Sequence, residues 1–297
     1  MRIGLIADRN NCGIGIIMDR ISIEKLVVFG KHGVFREENV LGQKFEVSLV
    51  MYTDTRTAGK TDDLSASINY GEVSSLIQTF FQENTYMLIE RVAEELAELL
   101  LLTYAPLKKV DVKISKPWAP IGISVDTVCV EISRGWHRAY VALGSNLGDK
   151  KAYLDQAVQK LNDDKLCKVV KVADYIETEP YGGVEQDSFL NSVLELQTLL
   201  YPQELLELLN RIEAQAKRER KLHWGPRTLD LDIIFYDNEI IDTQRLTVPH
   251  IDMQNRDFVL KPMVQLAPHF RHPIYMLTMK QMLEKLENTD SSGRENN

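Results

Sequence analysis

Two aspartates set two residues apart, Asp230 and Asp232, lie in a segment from Trp224 to Phe235 that also holds an indole and the guanidinium of Arg227. The run from Thr228 to Tyr236 is apolar and β-branched enough to predict a strand, and Pro226 stands just ahead of it, where a missing N–H costs little. On a strand, residues i and i+2 share a face, so both carboxylates project together while Leu229, Leu231 and Ile233 face the other way. Adjacent carboxylates raise each other's pKa unless a cation sits between them. Magnesium meets that need, since it takes hard oxygen ligands and is usually held by one or two carboxylates plus substrate phosphates. A bare Asp-x-Asp also suits a solvated strand face, where polar residues alternate outward. The neighbourhood separates the two readings. Five of the eleven residues from Lys217 to Arg227 are basic, namely Lys217, Arg218, Arg220, Lys221 and Arg227, and guanidinium forks suit phosphate oxygens. The segment therefore reads as a polyphosphate site that carries its own metal ligands.

The chain around it has 297 residues, 44% hydrophobic and 26% charged, enough for two globular domains. A net charge of −8 argues against a general binder of nucleic acid or membrane surface, so the basic cluster before Trp224 is local and suits a small anion. Cys12, Cys129 and Cys167 are odd in number and widely spaced, without a CxxC, which indicates neither a disulfide framework nor a zinc knuckle. A reducing cytoplasm is the simplest setting. No apolar run approaches the ~18 residues needed to span a bilayer. Residues 1–17 lack the cationic start, apolar core and cleavage site of a signal peptide; they read as a short strand or as translated sequence ahead of Met18.

The elements that must position the chemistry follow from hydrophobic spacing. Ile21 to Phe29 and Lys44 to Thr53 are predicted strands joined by a long polar connection, Gly30 to Gly42. Tyr70 to Phe81 and Met87 to Leu102 have helical spacing, and Val110 to Ile114 and Val125 to Ile132 supply two further strands. Gly59-Lys60-Thr61 imitates the end of a phosphate loop, but Asp54 stands where the first glycine is required, so a turn is expected there. Glu90, in the first turn of its helix, fits either a dipole-stabilised acid or a carboxylate aimed at an amide-like ligand. After the short link Arg134 to Arg138, the second half predicts strands at Ala139 to Leu143, Val169 to Glu177 and Ser188 to Gln197. Helices are expected at Lys151 to Leu161, Pro202 to Lys217 and Met276 to Leu286, with a disordered tail from Asn288.

The stretch from His32 to Gln43 (His-Gly-Val-Phe-Arg-Glu-Glu-Asn-Val-Leu-Gly-Gln), followed by Asn69-Tyr70-Gly71-Glu72-Val73, Glu90 and Lys116-Pro117, resembles dihydroneopterin aldolase across residues 18–135. The resemblance implies a tunnelling-fold-like antiparallel sheet with two helices, assembled into a homo-oligomeric ring whose sites lie between subunits. By that resemblance Glu90 anchors the pterin's amide edge, Lys116 is the proton-transfer lysine, Tyr70 acts with it, and Glu38 reaches in from the connection. The implied reaction is a retro-aldol cleavage of 7,8-dihydroneopterin that uses no cofactor, with the pterin ring accepting the electrons.

With Gly144-Ser145-Asn146-Leu147-Gly148-Asp149, Phe189-Leu190-Asn191, Trp224 to Asp232, Val248-Pro249-His250 and Arg256-Asp257-Phe258 in order, residues 138–287 resemble 6-hydroxymethyl-7,8-dihydropterin pyrophosphokinase. The implied fold is a ferredoxin-like α+β sandwich, which makes the whole chain α+β. The implied reaction moves a pyrophosphoryl group from ATP to the pterin's hydroxymethyl oxygen and releases AMP. Asp230 and Asp232 then hold two Mg2+ ions, and Arg218, Arg220, Arg227 and Arg256 look like phosphate contacts. Glu213, Trp224, Arg245, Thr247 and His250 look like ATP contacts. Thr178 and Asn191 match pterin hydrogen-bonding positions, with Phe189 and Phe258 stacking on the ring. The Gly144 to Asp149 turn is given no catalytic role. Because the first implied product is the second implied substrate, the two resemblances together point to a bifunctional folate-pathway enzyme. The rivals are one live and one degenerate domain, or a non-catalytic pterin- or nucleotide-binding scaffold.

Overall fold

Strand β1 (Asp19–Gly30) turns through a short helix, α1 (Arg36–Leu41), into β2 (Gln43–Thr53), and the two strands pair antiparallel from Asp19↔Thr53 to Gly30↔Gln43. The structure, a computed structural model, describes residues 18–179, 187–216 and 228–294, with side chains as far as Thr289. The connection expected between the first two strands thus contains a helix, whose N-terminal Phe35 N–H is accepted by the Glu38 carboxylate at 3.1 Å. Strand β2 buries every second side chain, Phe45, Val47, Leu49 and Met51 among them, as the period of two requires. Helix α2 (Arg56–Thr61) contains Gly59-Lys60-Thr61, so the segment expected as a turn is helical and only Asp62, at φ 56°, leaves that conformation.

Helices α3 (Tyr70–Glu83) and α4 (Ile89–Thr103) bury Val73, Ile77, Phe80 and Phe81, and Val92, Leu96 and Leu100, against the sheet. Asn69 starts α3 by accepting the Gly71 N–H at 2.9 Å, an N-cap satisfying a donor the helix leaves unpaired. Strands β3 (Lys109–Lys116) and β4 (Val128–Gly135) complete an antiparallel sheet in the order β1-β2-β3-β4. The last strand starts three residues later than the spacing suggests. Its Val128 pairs with Lys116, beyond which Pro117 has no N–H to extend the ladder.

The chain divides into two units between Gly135 and Trp136. In the second, β5 (His137–Ser145), α5 (Lys150–Asp163), β6 (Cys167–Val172), β7 (Ile176–Thr178), β8 (Phe189–Thr198), α6 (Pro202–Gln215) and β9 (Asp230–Tyr236) follow in the chain, and the strands form an antiparallel sheet in the order β6-β8-β5-β9, with β7 also on β8. Two split βαβ units with this strand order make the ferredoxin-like arrangement. The strand expected from Val169 to Glu177 is two strands. Between them the ladder breaks, and Asp174 N–H goes to the Gln265 side chain at 2.8 Å instead.

One face of this sheet packs Ala139, Val141, Leu143, Leu229, Leu231 and Ile233 against α5 and α6. The other packs Tyr140, Val193 and Phe235 against α7 (Asp257–Leu266) and α8 (Met279–Arg294). A short hairpin of β10 (Ile241–Asp242) and β11 (Thr247–Val248) lies between β9 and α7 in the chain. Helix α8 runs through Asn288, where a disordered tail was expected. Its start carries a signal the spacing alone does not weigh: Thr278 Oγ accepts the Gln281 N–H at 3.2 Å and Gln281 Oε1 accepts the Thr278 N–H at 2.9 Å, a reciprocal capping box. Among the described residues no helix is long and apolar enough to cross a membrane.

Candidate functional sites

Three donors converge on Glu38 in the first unit. Lys116 Nζ lies 2.6 Å from Oε1, Gln43 Nε2 donates to the same oxygen at 2.7 Å, and Phe35 N–H donates to Oε2 at 3.1 Å. Helix α1 points the carboxylate inward, and the end of β3 brings the ammonium to it. Gly33 is required beside them, since a Cβ there would stand 2.2 Å from Glu38 Oε2. Burial pushes the Glu38 carboxyl up, but the bonds from Lys116, Phe35 and Gln43 outweigh it and hold it below its ordinary value. Lys116 is 8% exposed, so its charge is balanced by Glu38 rather than by water.

Two further side chains belong to this cluster, and the sequence reading gave them no role. His32 is fully buried, edge-on to Phe45 and Phe81, and its Nδ1 accepts the Tyr86 N–H at 3.2 Å. That bond leaves the proton of the neutral ring on Nε2. Burial, reinforced by the Lys116 charge, lowers the His32 pKa to about 4. His32 Nε2 and Gln43 Oε1 are buried without a hydrogen-bond partner among the described residues. Both residues stand inside the His32–Gln43 motif, and the glycine-flanked histidine was the available signal. Tyr70 and Glu90, by contrast, are exposed at the starts of α3 and α4 and take no part in the bonds around Glu38. The structure brings together two of the four expected residues of this site.

In the second unit Asp230 and Asp232 are half-buried on β9 and alternate with the core residues Leu229, Leu231 and Ile233. In register, Asp230 pairs with Gly144 and Asp232 with Ala142 on β5, and Gly144 pairs on its other side with Asn191 of β8. Asn191 Nδ2 donates to Thr178 Oγ1 at 2.7 Å, so these two expected pterin contacts are joined. Thr178 and Phe258 line one cleft of about 440 Å³ with Ile176, Glu177, Asp257 and Lys261, while Phe189 pairs in register with Thr178.

His250 follows the β10–β11 hairpin, donates its N–H to the Ile234 carbonyl at 3.1 Å, and accepts the Asp252 N–H on Nδ1 at 3.2 Å. Burial holds its pKa below the ordinary value, against Asp232, which acts the other way. Arg256 bonds to Asp252 through Nε at 3.0 Å and lies 5.7 Å from the Phe258 ring centroid. Thr247 is half-buried and Arg245 exposed. Glu213 is 3% exposed on α6, and its Oε1 accepts the N–H of Leu231, the residue between the two aspartates, at 2.8 Å. Lys217, Arg218, Arg220, Lys221, Trp224 and Arg227 lie outside the described residues.

The carboxylate pair fits a hard divalent cation. Both side chains share a face, and magnesium completes its shell with phosphate oxygens and water rather than an all-protein cage. Among the described residues no group of three or more His, Cys, Asp and Glu side chains forms such a cage.

Comparison with known families matches each unit separately. The family model "7,8-dihydro-6-hydroxymethylpterin-pyrophosphokinase (HPPK)" matches residues 140–268, and "Dihydroneopterin aldolase" matches residues 21–133. The 2-amino-4-hydroxy-6-hydroxymethyldihydropteridine pyrophosphokinase of Bacillus subtilis is 48% identical over 129 residues, covering 43% of this chain and 77% of that one. A folic acid synthesis protein of Dictyostelium discoideum is 30% identical over 299 residues, covering 91% of this chain and 45% of that one. A solved Escherichia coli dihydroneopterin aldolase in complex with neopterin is 36% identical, covering 40% of this chain and all of that one, with a TM-score of 0.38. The chain spans less than half the length of the first multifunctional relatives it matches.

Proposed function

Since the chain belongs to the hydroxymethyldihydropterin pyrophosphokinase family through residues 140–268 and to the dihydroneopterin aldolase family through residues 21–133, we propose that it is a bifunctional folate-pathway enzyme, with residues 18–135 as the aldolase domain and 138–287 as the pyrophosphokinase domain. The observation that carries this reading is the buried Lys116–Glu38 pair, in a chain whose other half sets Asp230, Gly144 and Asn191 in one cross-strand row. An ion pair kept from water at the end of a strand suits proton transfer better than surface solvation.

In the aldolase reaction the side-chain hydroxyl of 7,8-dihydroneopterin loses its proton, the adjacent carbon–carbon bond breaks, and its electron pair passes into the pterin ring. Glycolaldehyde leaves, and a proton returned to the carbon gives 6-hydroxymethyl-7,8-dihydropterin. Lys116, oriented by Glu38, handles the proton, with the Tyr70 hydroxyl acting beside it. Glu90 binds the amide edge of the ring. The ring is its own electron sink, so no cofactor is invoked for this half. Tyr70 is 65% exposed, Glu90 is exposed, and Phe29, Phe35 and Leu41, close to Glu38 in the sequence, offer exposed apolar surface. This suits a homo-oligomer in which a neighbouring copy completes the site.

In the second domain Thr178 and Asn191 bond the pterin edge, and Phe189 and Phe258 bracket its ring. Arg218, Arg220, Arg227 and Arg256 hold the triphosphate. Glu213, Trp224, Arg245, Thr247 and His250 serve the nucleotide, Glu213 through the strand that it bonds. Asp230 and Asp232 would hold two Mg2+ ions, which supply neutralisation of phosphate charge. The pterin's hydroxymethyl oxygen then attacks the β-phosphorus of ATP in line, and AMP leaves. A cytoplasmic setting, where ATP is plentiful, follows from this reading.

The test supplies 7,8-dihydroneopterin and Mg-ATP to the purified chain and follows glycolaldehyde and AMP. Release of both is expected. ADP in place of AMP would mean an ordinary kinase, and absence of glycolaldehyde would remove the aldolase half.

A further inference from the structure

The tripeptide Gly144-Ser145-Asn146, at the end of β5, lies where the two sides of the second site meet. Gly144 stands between Asn191 on β8 and Asp230 on β9. A Cβ at Gly144 would be 2.9 Å from Asn191 Oδ1 and 3.9 Å from Asp230 Cβ, so the bare backbone is what keeps the amide and the carboxylate on one open row. The next two residues are polar and wholly buried. Ser145 Oγ donates to the carbonyl of Thr228, two residues before Asp230, at 2.7 Å. Asn146 Nδ2 donates to the carbonyl of Asp187, two residues before Phe189, at 3.3 Å. One tripeptide therefore ties down the entry to β9, which carries the aspartates, and the entry to β8, which carries Phe189 and Asn191.

We propose that Gly144-Ser145-Asn146 is the positioning element of the phosphoryl-transfer site, with Ser145 fixing the carboxylate side, Asn146 fixing the ring side, and Gly144 leaving open the crossing between them. The proposal rests on the pyrophosphokinase reading. Asn191 and Asp230 sit two strand spacings apart, about 10 Å. A hydroxymethyl oxygen on a ring held at Asn191 must reach a phosphorus held near Asp230 directly over Gly144. A misplacement of about 1 Å between reacting groups costs on the order of a hundredfold in rate. Hydroxyl and amide groups buried at such a place also need partners, and Thr228 and Asp187, at the two strand entries, are among them.

The proposal predicts a split that general loosening of the domain would not give. Binding of 6-hydroxymethyl-7,8-dihydropterin and of α,β-methylene-ATP with magnesium is measured separately by calorimetry on the full chain, alongside thermal melting. Asn146→Ala should weaken the pterin by about tenfold and leave the nucleotide within about twofold, and Ser145→Ala should do the reverse. Gly144→Ala changes no buried polar group; it should weaken the pterin by crowding Asn191 and spare the nucleotide. It keeps the proposal testable where a buried variant does not fold. Equal weakening of both ligands by each variant, or unchanged affinities beside a lowered melting temperature, overturns the proposal. A wild-type chain that binds both ligands while its variants show no split overturns the proposal alone. A wild-type chain that binds neither overturns the pyrophosphokinase reading, and the proposal with it.

Discussion

Lys116 and Glu38 meet at 2.6 Å with both side chains about nine-tenths shielded from solvent. Burying such a pair is close to neutral against an apolar replacement, whereas removing one partner leaves an uncompensated charge and costs about 3–5 kcal/mol. Glu38→Ala should therefore destabilise the first unit by about 3 kcal/mol in urea titration. The double variant Glu38→Ala with Lys116→Met should recover most of that loss. A double-variant loss equal to the sum of the two single-variant losses would show that the two charges are not coupled.

Lys116→Ala should stop glycolaldehyde release. Glu90 lies on a different element and makes none of the bonds around Glu38, so pterin binding should persist. Fluorescence titration with 7,8-dihydroneopterin separates the two effects. A variant that binds nothing would place Lys116 in ring binding, and one with full activity would remove it from the chemistry.

Asp232→Ala should lower AMP formation by about a thousandfold, the equivalent of several kcal/mol of lost charge stabilisation. Glycolaldehyde release should stay nearly unchanged. Loss of both activities in a folded protein would mean that the two halves are not independent.

The parts of the fold that were legible in the sequence are those with a short period. Phe45, Val47, Leu49 and Met51 alternate on β2, and Val92, Leu96 and Leu100 recur on α4, because burial on one face imposes a period on each. Helix α1 was not legible, since its six residues are too few to show a period and its start is satisfied by Glu38. The end of α8 was missed for another reason: Asn288 and its neighbours are polar, yet the helix had already been started by the Thr278–Gln281 box. Of the sites, Asp230 and Asp232 could be placed on one face by counting. The bonds from Ser145 to Thr228, Asn146 to Asp187 and Gln43 to Glu38 could not, because contacts between separate elements leave no mark in local spacing.

Glu213 illustrates that gap. The family resemblance makes it a nucleotide contact, whereas its carboxylate accepts the Leu231 N–H between the two aspartates. Glu213→Gln keeps an acceptor for that N–H, so it should leave stability within about 1 kcal/mol and report on charge alone. Glu213→Leu strands the N–H in the interior and should cost about 1–3 kcal/mol. If both variants weaken ATP equally, the carboxylate charge serves the nucleotide. If only Glu213→Leu does so, its service is to hold β9.

Acid should destabilise both units through histidines that the fold keeps neutral. Burial lowers His272 to about 4, and burial with the Lys116 charge lowers His32 to about 4, from an unfolded value near 6.5. Between those values the unfolded chain holds the extra proton, so stability is complete above about 6.5, falls as pH drops, and loses nothing more from these groups below about 4. The slope should approach 1.4 kcal/mol per pH unit for each histidine inside that window. His272 Nδ1 accepts the N–H groups of Ile274 at 3.1 Å and Tyr275 at 3.3 Å, a role that an asparagine oxygen can take over without titrating. His272→Asn should therefore flatten the acid slope of the second unit and leave that of the first unchanged, as read from urea midpoints between pH 7 and pH 4.5. An unchanged slope in the variant would assign the acid sensitivity to His250, which burial also holds below its ordinary value, or to carboxylates instead.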